Sequence, residues 1–419
     1  MSRAAIITIG DELISGYRLD TNSKWLSKNL FNVNIQNLSV VSVGDDPDTI
    51  IEAIAHECDK SLVRYIFITG GIGPTDDDCT YAAIKSFLRS DEYLDKDYLN
   101  ELSSRFKHDQ KISKKLLIKQ AMKLRDVEYL PNQNGTALPM FFIRGKITFF
   151  VLPGVPSEIK DIYKNSILPK INKSKLSRDE LTLRFAGISE TVLHGKLESV
   201  LKKYHNTVKV SFLPNFRIIN LRLINTSEDK NILKEIKGNI LAKLGDYCIG
   251  EGDITLESAV LKILISQGLT LSLAESCTGG YISKLITDCA GSSMVFKGSI
   301  VAYSNEVKAK ELNISDDFFK NYGAVSFEVA EEMSKSVARK LNTDIGLSVT
   351  GISGPEGGTE NKPVGLVYIS ITYLNKSYTK KFNFRINRDG HRLITASTAL
   401  NMLRLMLLNK IDFSNKKNN

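Results

Sequence analysis

The first 170 residues alternate short apolar runs with amphipathic stretches. Apolar runs at residues 4–9, 36–43, 64–69 and 147–152 predict strands. Between them, Asp46-Pro47 is typical of a helix start, and Ile50 and Ile54 recur on one helical face. The run at 64–69 is largely apolar, as strands buried on both faces of a parallel sheet are. This rhythm predicts a doubly wound α/β domain over residues 1–170.

The remaining chain shows two further patterns. Residues 171–250 follow a β-α-β-β-α order, which predicts a small α+β unit without a chemical motif. Residues 251–413 begin with a helix signal at Thr255 and alternate strands with helices, which predicts a third, α/β domain. The polar residues 414–419 are expected to be a disordered tail.

Composition narrows the class of protein. The chain has 419 residues, 42% of them hydrophobic and 25% charged, which excludes a disordered or fibrous chain. The net charge of +9 is spread along the chain and suits anionic ligands without requiring nucleic acid. Five widely spaced cysteines form no CxxC pair, so a reducing, cytoplasmic location is expected. No apolar run reaches the roughly 18 residues of a membrane span.

A glycine-rich loop follows the strand at 64–69. Residues 69–78 read TGGIGPTDDD, and glycines at the carboxyl end of a strand let backbone N–H groups approach a phosphate. Three carboxylates would repel that phosphate unless a divalent cation lies between them. The alternative is a tight turn with acidic residues at a helix start, where they are favourable in any case.

A serine lies at a second strand–turn–helix element. In residues 274–280, AESCTGG, helix N–H groups behind Ser276 are expected to stabilise an oxyanion. A serine nucleophile needs a base, and Lys308 becomes one if burial lowers its pKa. The alternatives are a helix-capping Ser276 with a surface Lys308, or Cys277 as the nucleophile. His391 is the one histidine of this domain.

Lysines recur every four residues at Lys107, Lys111, Lys115, Lys119 and Lys123. On a helix they would form one cationic line, which either faces solvent or binds a polyanion.

Two groups of motifs resemble known families. TGGIGPTDDDCT (69–80), with GDELISG (10–16) and LPGVPSE (152–158), resembles the molybdopterin-binding domain of MoaB/MogA-type proteins, and NQNGTALPMF (132–141) is similar to its CinA branch. The resemblance implies a MoaB/MogA-like fold and hydrolysis of ADP-ribose with a divalent metal of the Mg or Co type. The implied ligand contacts are Gly70, Gly71, Gly73, Thr75 and Asp78, with Asp11 and Asp46 nearby. Asp76 stands where the family usually has a non-acidic residue.

The C-terminal motifs resemble the nicotinamide mononucleotide (NMN) deamidase domain of the CinA family. They are AESCTGGYIS (274–283), GSIVAYSNEVKAKEL (298–312), TGISGPEGG (350–358) and NRDGHR (387–392). The resemblance implies Ser276 as nucleophile and Lys308 as base, without a cofactor. It also implies the active-site residues Thr350, Arg392 and Tyr303 and the substrate contacts Thr278, Gly279, Gly280, Gly351 and Gly354. The family's Gly-Asp-Arg triplet reads Ile386-Asn387-Arg388 here.

The resemblance therefore predicts a homodimeric, bifunctional enzyme of pyridine nucleotide salvage. It would deamidate NMN and cleave ADP-ribose, without binding a membrane or nucleic acid. The alternatives are a molybdopterin-related transferase and a non-catalytic protein related to competence or DNA damage.

Overall fold

A computed structural model describes residues 2–75, 77–106, 113–171, 179–215 and 218–411. The chain divides into two compact units, Met1–Arg178 and Asp179–Asn419. Asp76, Lys107, Lys111 and the predicted tail at 414–419 lie outside the described residues. The predicted separation of residues 171–250 from 251–413 stays a prediction. Within the described ranges, no helix combines the length and the apolar character needed to cross a bilayer.

The first unit alternates strands and helices, as the hydrophobic pattern predicts. Its strands are β1 (Ser2–Ile9), β2 (Ile35–Val43), β3 (Val63–Thr69), β4 (Glu92–Leu94), β5 (Met122–Leu124), β6 (Glu128–Tyr129), β7 (Met140–Arg144) and β8 (Ile147–Leu152). Its helices are α1 (Asp11–Ile14), α2 (Asn22–Asn32), α3 (Pro47–Cys58), α4 (Thr80–Leu88), α5 (Lys96–Arg105), α6 (Lys114–Gln120), α7 (Pro156–Ile162) and α8 (Leu168–Lys170), with a π-helical turn at Tyr163–Ile167.

The main sheet of this unit has the order β2-β1-β3-β8-β7-β6. The first four strands are parallel, and β7 and β6 continue the sheet antiparallel. Apolar clusters cover both faces, one around Ile7 and Ile68 and the other around Ile6 and Phe67. Because β1 and β3 are buried on both faces, their sequences are continuously apolar. The predicted doubly wound α/β class is confirmed.

The second unit contains two sheets. Its elements begin with β9 (Glu180–Phe185), α9 (Glu190–Leu201), β10 (Val208–Pro214), β11 (Ile219–Asn225), α10 (Ile232–Leu244) and β12 (Cys248–Glu251). They continue with α11 (Leu256–Gln267), β13 (Leu271–Glu275), α12 (Tyr281–Thr287), β14 (Phe296–Val301), α13 (Asn305–Leu312), α14 (Asp316–Tyr322), α15 (Phe327–Leu341), β15 (Ile345–Gly351), β16 (Leu366–Tyr373), β17 (Lys376–Asn383) and α16 (Arg388–Leu407). Short 3-10 turns lie at Lys202–Tyr204 and Ser292–Met294.

The smaller sheet has the order β10-β11-β9-β12 and is antiparallel. The larger sheet has the order β14-β13-β15-β16-β17, in which β14, β13 and β15 are parallel. The helix start predicted at Thr255 has a capping box in the structure, because the Thr255 and Ser258 side chains each accept from the other's backbone N–H group. The carboxyl ends of β13, β14 and β15 therefore meet at one edge, where ligands bind in open α/β sheets.

A buried arginine joins the smaller sheet to the last helix. Arg404 of α16 is 2% exposed, and its guanidinium donates to the carbonyls of Asp246 and Cys248 and to Asn401 Oδ1. Burial lowers the pKa of Arg404, and these neutral oxygens satisfy its donors. The contact ties β12 and the turn before it to α16.

Candidate functional site

Ser276 lies in a tight turn between β13 and α12. Its N–H donates to the Val349 carbonyl at 3.0 Å, and its carbonyl accepts from the Gly279 N–H at 3.1 Å. Gly279 and Gly280 have φ values of 58° and 89°, which glycine adopts at no steric cost. The turn thus places a nearly buried serine hydroxyl at the carboxyl edge of the larger sheet.

Lys308 lies on α13, directly after the strand that neighbours β13. The parallel pairing of β13 with β14 sets Glu275 opposite Val301, and Ala302 N–H donates to the Glu275 carbonyl at 2.8 Å. Lys308 is 2% exposed, and burial lowers its pKa, an effect that the nearby Cys277 thiol opposes. No carboxylate is paired with it in the described part of the chain. Removal from water favours the uncharged amine that a general base requires.

The ammonium group of Lys308 is hydrogen-bonded within its own segment. Nζ donates to the Tyr303 carbonyl at 3.1 Å rather than to Ser276 Oγ. Catalytic contacts are often long without substrate and tighten when it binds. The pairing of β13 with β14 brings the segments that carry Ser276 and Lys308 to the same edge of the larger sheet.

Cys277 has the opposite environment for a nucleophile. Burial raises the pKa of this thiol to about 12. Since the thiolate is the reactive form, the buried thiol argues against the alternative in which Cys277 attacks the substrate.

His391 is fully buried, and its two ring nitrogens are hydrogen-bonded to residues other than Ser276. Its Nε2 lies 3.1 Å from the Gly365 carbonyl and its Nδ1 lies 2.9 Å from Ser353 Oγ. Because a carbonyl only accepts, Nε2 carries the proton and Nδ1 accepts from Ser353. Burial lowers the pKa of His391, which keeps the ring neutral. This histidine therefore braces the Ser353 segment.

Glu275 was not singled out by the sequence, although it precedes Ser276. Its carboxylate is completely buried. It accepts hydrogen bonds from Thr278 Oγ1 at 2.7 Å, Ile282 N–H at 3.1 Å, Ser283 N–H at 2.8 Å and Ser283 Oγ. A signal was present in the sequence, since a negatively charged side chain near the N-terminus of a helix is stabilising.

Two arginines donate hydrogen bonds to residues in and near the turn that carries Ser276. Arg392 donates to the Thr278 carbonyl through Nε at 3.2 Å and Nη2 at 2.9 Å. Arg388 donates to the Tyr303 hydroxyl at 2.9 Å and to the Gly354 carbonyl at 2.7 Å. Tyr303 is 59% exposed, so its ring faces the solvent side of this edge. Arg388 thus links the Lys308 segment to the loop after β15.

Two predicted residues make backbone contacts. Thr350 is buried and donates to the Ala324 carbonyl at 2.9 Å. Gly351 ends β15, and a Cβ there would lie 2.7 Å from the Leu366 carbonyl oxygen. The structure therefore joins Arg392 to Thr278 within the turn that carries Ser276, whereas Lys308 is hydrogen-bonded to Tyr303. Thr350 and Gly351 instead contact Ala324 and Leu366.

The first unit has a cavity of about 360 Å³ at the carboxyl end of its parallel strands. Gly70, Gly71, Gly73 and Asp78 line it, together with the carboxylates of Glu12 and Asp45. Gly70 has a φ of 106°, and a Cβ there would lie 2.3 Å from the Ile9 carbonyl oxygen, so β1 and the loop meet only with glycine. A smaller cavity of about 290 Å³, lined by Tyr81 and Tyr129, shares Gly73 and Asp78 with it.

The predicted acidic residues around this cavity have internal partners. Asp78 accepts from the N–H groups of Gly73 and Thr75, each at 2.8 Å, and from Thr75 Oγ1 at 2.5 Å. Asp46 caps α3 by accepting from Thr49, which lowers the pKa of Asp46. Asp11 and Asp45 each accept from the other's backbone N–H. Asp45, which the sequence did not single out, lines the cavity. The predicted contacts Asp46, Asp11 and Thr75 are not among the residues that line it.

The carboxylates give this cavity a negative rim. Burial raises the pKa of Asp45, and the charges of Asp11, Glu12 and Asp77 raise it further. Among the residues described, no group of three or more His, Cys, Asp or Glu side chains is placed to hold a metal ion. The oxygens of Asp78 already accept from the loop. The described residues alone thus do not fit the predicted divalent metal, and Asp76 lies outside them.

The predicted lysine line does not follow one helix. Lys115 and Lys119 lie on α6, whereas Lys123 lies on β5 and pairs with Asp95 at 2.5 Å. Lys119 donates to the Thr75 carbonyl at 2.5 Å. Two of the three described lysines therefore have partners within the first unit, which weakens the support for a polyanion surface.

Family models match both parts of the chain. Residues 5–173 match "Probable molybdopterin binding domain", and residues 253–407 match "CinA C-terminal domain". A "CinA-like protein" of Dictyoglomus turgidum (strain DSM 6724 / Z-1310) is 36% identical over 412 residues, which cover 97% of this chain and 100% of that protein. A "CinA-like protein" of Prochlorococcus marinus (strain MIT 9301) is 38% identical over 419 residues, covering 96% and 97%.

Among solved structures, the competence/damage inducible protein CihA from Agrobacterium tumefaciens is 35% identical to this chain. The match covers 36% of this chain and 93% of that one, with a TM-score of 0.36.

Proposed function

Because the chain belongs to the CinA family, aligned over nearly its whole length, we propose that it is an amidohydrolase that converts NMN to nicotinate mononucleotide and ammonia. The turn at Ser276 would carry the reaction. The same chain would cleave ADP-ribose in its first unit, as a second activity in pyridine nucleotide salvage.

The environment of Lys308 supports this proposal most strongly. A lysine at 2% exposure without a paired carboxylate is held in its uncharged form over a wider pH range than a surface lysine. An ordinary structural lysine keeps its ammonium group in water or pairs it. A buried amine on the segment that β14 leads into, with β14 paired to the strand that ends at the Ser276 turn, supports a Ser–Lys hydrolase.

The proposed chemistry uses side chains and water. Ser276 Oγ attacks the carboxamide carbon while Lys308 Nζ takes the hydroxyl proton, which it then delivers to the departing ammonia. A water molecule, deprotonated by Lys308, attacks the acyl-enzyme, and Lys308 returns that proton to the Ser276 oxygen as the C–O bond breaks and the acid is released. The N–H groups of Cys277, Thr278 and Gly280, which have no backbone acceptor in the described ranges, are the candidate oxyanion donors.

Ammonia release from NMN by the purified full chain tests this proposal. We expect wild-type activity and its loss in Ser276→Ala and in Lys308→Ala. Activity that survives both substitutions would reject the assigned pair, and an inactive wild type would reject deamidation.

One observation favours the second activity, in the first unit. The cavity of about 360 Å³ lies beside the glycine loop, and the cavity of about 290 Å³ shares Gly73 and Asp78 with it and has two tyrosines in its lining. A glycine loop suits a pyrophosphate and tyrosine rings suit a flat base. Because the rim is acidic, a pyrophosphate needs accompanying cations to enter.

A separate assay tests this activity. The full chain is incubated with ADP-ribose, with and without added Mg²⁺ or Co²⁺, and AMP is measured. Product that appears only with metal supports the proposal. A chain that binds a pterin phosphate but releases no AMP would favour a molybdopterin-related role.

A further inference from the structure

We propose that Glu275 is a positioning residue for the nucleophile turn, which orients Thr278 so that its N–H is available to the oxyanion. The inference rests on the proposed deamidation and names a residue beyond the serine and the lysine.

The first observation is the burial of an acidic side chain without a cation. Glu275 is 0% exposed, and no ion pair joins it to Lys or Arg in the described part of the chain. Acidic side chains are almost never fully buried unless they are paired. Here the carboxylate is satisfied by two hydroxyl groups and two backbone N–H groups. Removal of any of these donors leaves a buried acceptor less satisfied.

The second observation concerns the donors that Glu275 occupies. Ile282 and Ser283 are in the first turn of α12, and their N–H groups donate to the Glu275 carboxylate. The start of α12 therefore does not supply the oxyanion donors that the sequence pattern predicts there. The Gly279 N–H donates to the Ser276 carbonyl. This leaves the N–H groups of Cys277, Thr278 and Gly280 without a backbone acceptor in the described ranges, and of these three residues Thr278 is the one bonded to Glu275.

The third observation is that Thr278 is held from two sides. Its hydroxyl donates to Glu275, and its carbonyl accepts from Arg392. Because the peptide units on either side of a residue are rigid planes, fixing the side chain and the carbonyl also restricts the direction of the N–H. Glu275 and Arg392 thus determine where the Thr278 donor points without touching the substrate through that contact.

This role makes a kinetic prediction that a purely structural role does not. An oxyanion donor acts where charge develops in the transition state, so its misplacement lowers kcat more than it changes KM. A general loss of folding instead lowers the amount of active enzyme and the thermal midpoint together.

Thr278→Val and Thr278→Ser, assayed on the full chain with NMN, test the inference. Valine keeps the shape but removes the hydroxyl, and we expect kcat to fall roughly 10- to 100-fold with KM within about twofold. Serine retains the hydroxyl and is expected to restore kcat to within about threefold of the wild type. The matched control is Thr255→Val, which also removes a hydroxyl at a helix start, in α11. We expect it to lower the thermal midpoint without changing kcat.

Glu275→Gln is the companion variant. Its amide would turn an N–H₂ group toward donors that the carboxylate now accepts from, so kcat is expected to fall at least as far as in Thr278→Val. Should this variant fail to fold, the Thr278 pair still decides. An unchanged kcat in Thr278→Val, or a serine variant as slow as the valine variant, overturns the role of Glu275 while leaving deamidation intact. A wild type that releases no ammonia overturns both.

Discussion

In the first unit, the carboxylates of Glu12, Asp45 and Asp77 line a cavity, whereas in the second unit the carboxylate of Glu275, next to Ser276, is completely buried. In the first group, burial raises the pKa of Asp45, and the neighbouring negative charges raise it further. Glu275 instead has hydrogen-bond donors on both oxygens. Lys308 is buried as well, and no carboxylate is paired with it in the described part of the chain.

The difference separates two kinds of site. The open acidic cavity depends on what enters it, because its own groups repel the anion that its glycine loop would bind. In the buried turn, the Glu275 carboxylate is fixed by hydrogen bonds from the protein itself. Polar groups fixed in advance are what electrostatic preorganisation of a catalytic site requires. A substitution in one of the two sites should leave the activity of the other site unchanged, so the unaltered site serves as an internal control.

The largest effect is expected from Ser276→Ala. We expect NMN turnover to fall at least about 1,000-fold, as loss of a nucleophile does, with ADP-ribose cleavage unchanged. Cys277→Ala is the matched control at the adjacent position and should retain turnover, because the buried thiol is unreactive. Ammonia release measures both, and the reverse result would make Cys277 the nucleophile.

Lys308→Met separates activity from stability. Turnover of NMN should fall about 100- to 10,000-fold, while the free energy of unfolding changes by less than about 1 kcal/mol, because an apolar side chain suits the buried site. Lys310→Met, on the exposed face of α13, should change neither quantity. Urea unfolding and ammonia release distinguish these outcomes, and a strongly destabilised but active Lys308→Met would contradict the contrast.

The lowered pKa of Lys308 also predicts a pH profile. The base acts only when uncharged, so kcat should rise with pH through the pKa of Lys308. Because burial lowers this pKa, the rise should be centred below the ordinary lysine value of about 10.4. A rise centred at or above that value would mean that the amine is solvated.

Asp78→Asn tests the glycine loop of the first unit. An amide cannot accept all three bonds from Gly73 and Thr75, so we expect the first unit to lose about 1–3 kcal/mol of stability and ADP-ribose turnover to fall. NMN turnover should not change. Asp48→Asn, on the exposed surface of α3, is the control, and equal effects of the two variants would refute the loop's role.

The smallest effect is expected from Asp45→Asn. The raised pKa means that the charge of Asp45 disfavours the folded state at neutral pH, so its removal should stabilise the first unit by a few tenths of a kcal/mol after solvent screening. The gain should vanish as pH falls through the pKa of Asp45, where the native carboxyl is protonated as well. Urea unfolding at several pH values measures it, and a gain that persists in acid would have another cause.

Local signals predicted most of the fold. The strands β1 and β3 and the helices α3 and α11 follow from apolar runs and capping residues that lie within one segment. Strand β12 was not predicted, because its four residues include a glycine and it forms only by pairing with β9. The lysine line failed for a similar reason, since pairing of β4 with β5 overrides the helical spacing at Lys123.

The sequence predicts which residues belong to the candidate site, but not how deeply they are buried or what they are hydrogen-bonded to. The motifs identify Ser276 and Lys308 as candidates, and the pairing of β13 with β14 brings their segments together. The four donors on Glu275 lie within 8 residues of it along the chain. The burial of Lys308 and the bonds of Arg392 to Thr278 instead arise from contacts between distant segments. No spacing along the chain specifies these, and they decide which groups are charged.

The link through Arg404 bears on how this chain can be divided. A fragment starting at residue 253, where the CinA C-terminal model begins, would keep Ser276, Lys308 and Arg392 but lose the Asp246 and Cys248 carbonyls. Without these acceptors, the Arg404 guanidinium would lie against apolar side chains or would be hydrated by water that enters. Either change would affect α16, the helix that also carries Arg392. An excised fragment of this protein should therefore start ahead of β9, so that the smaller sheet travels with the helix that it anchors.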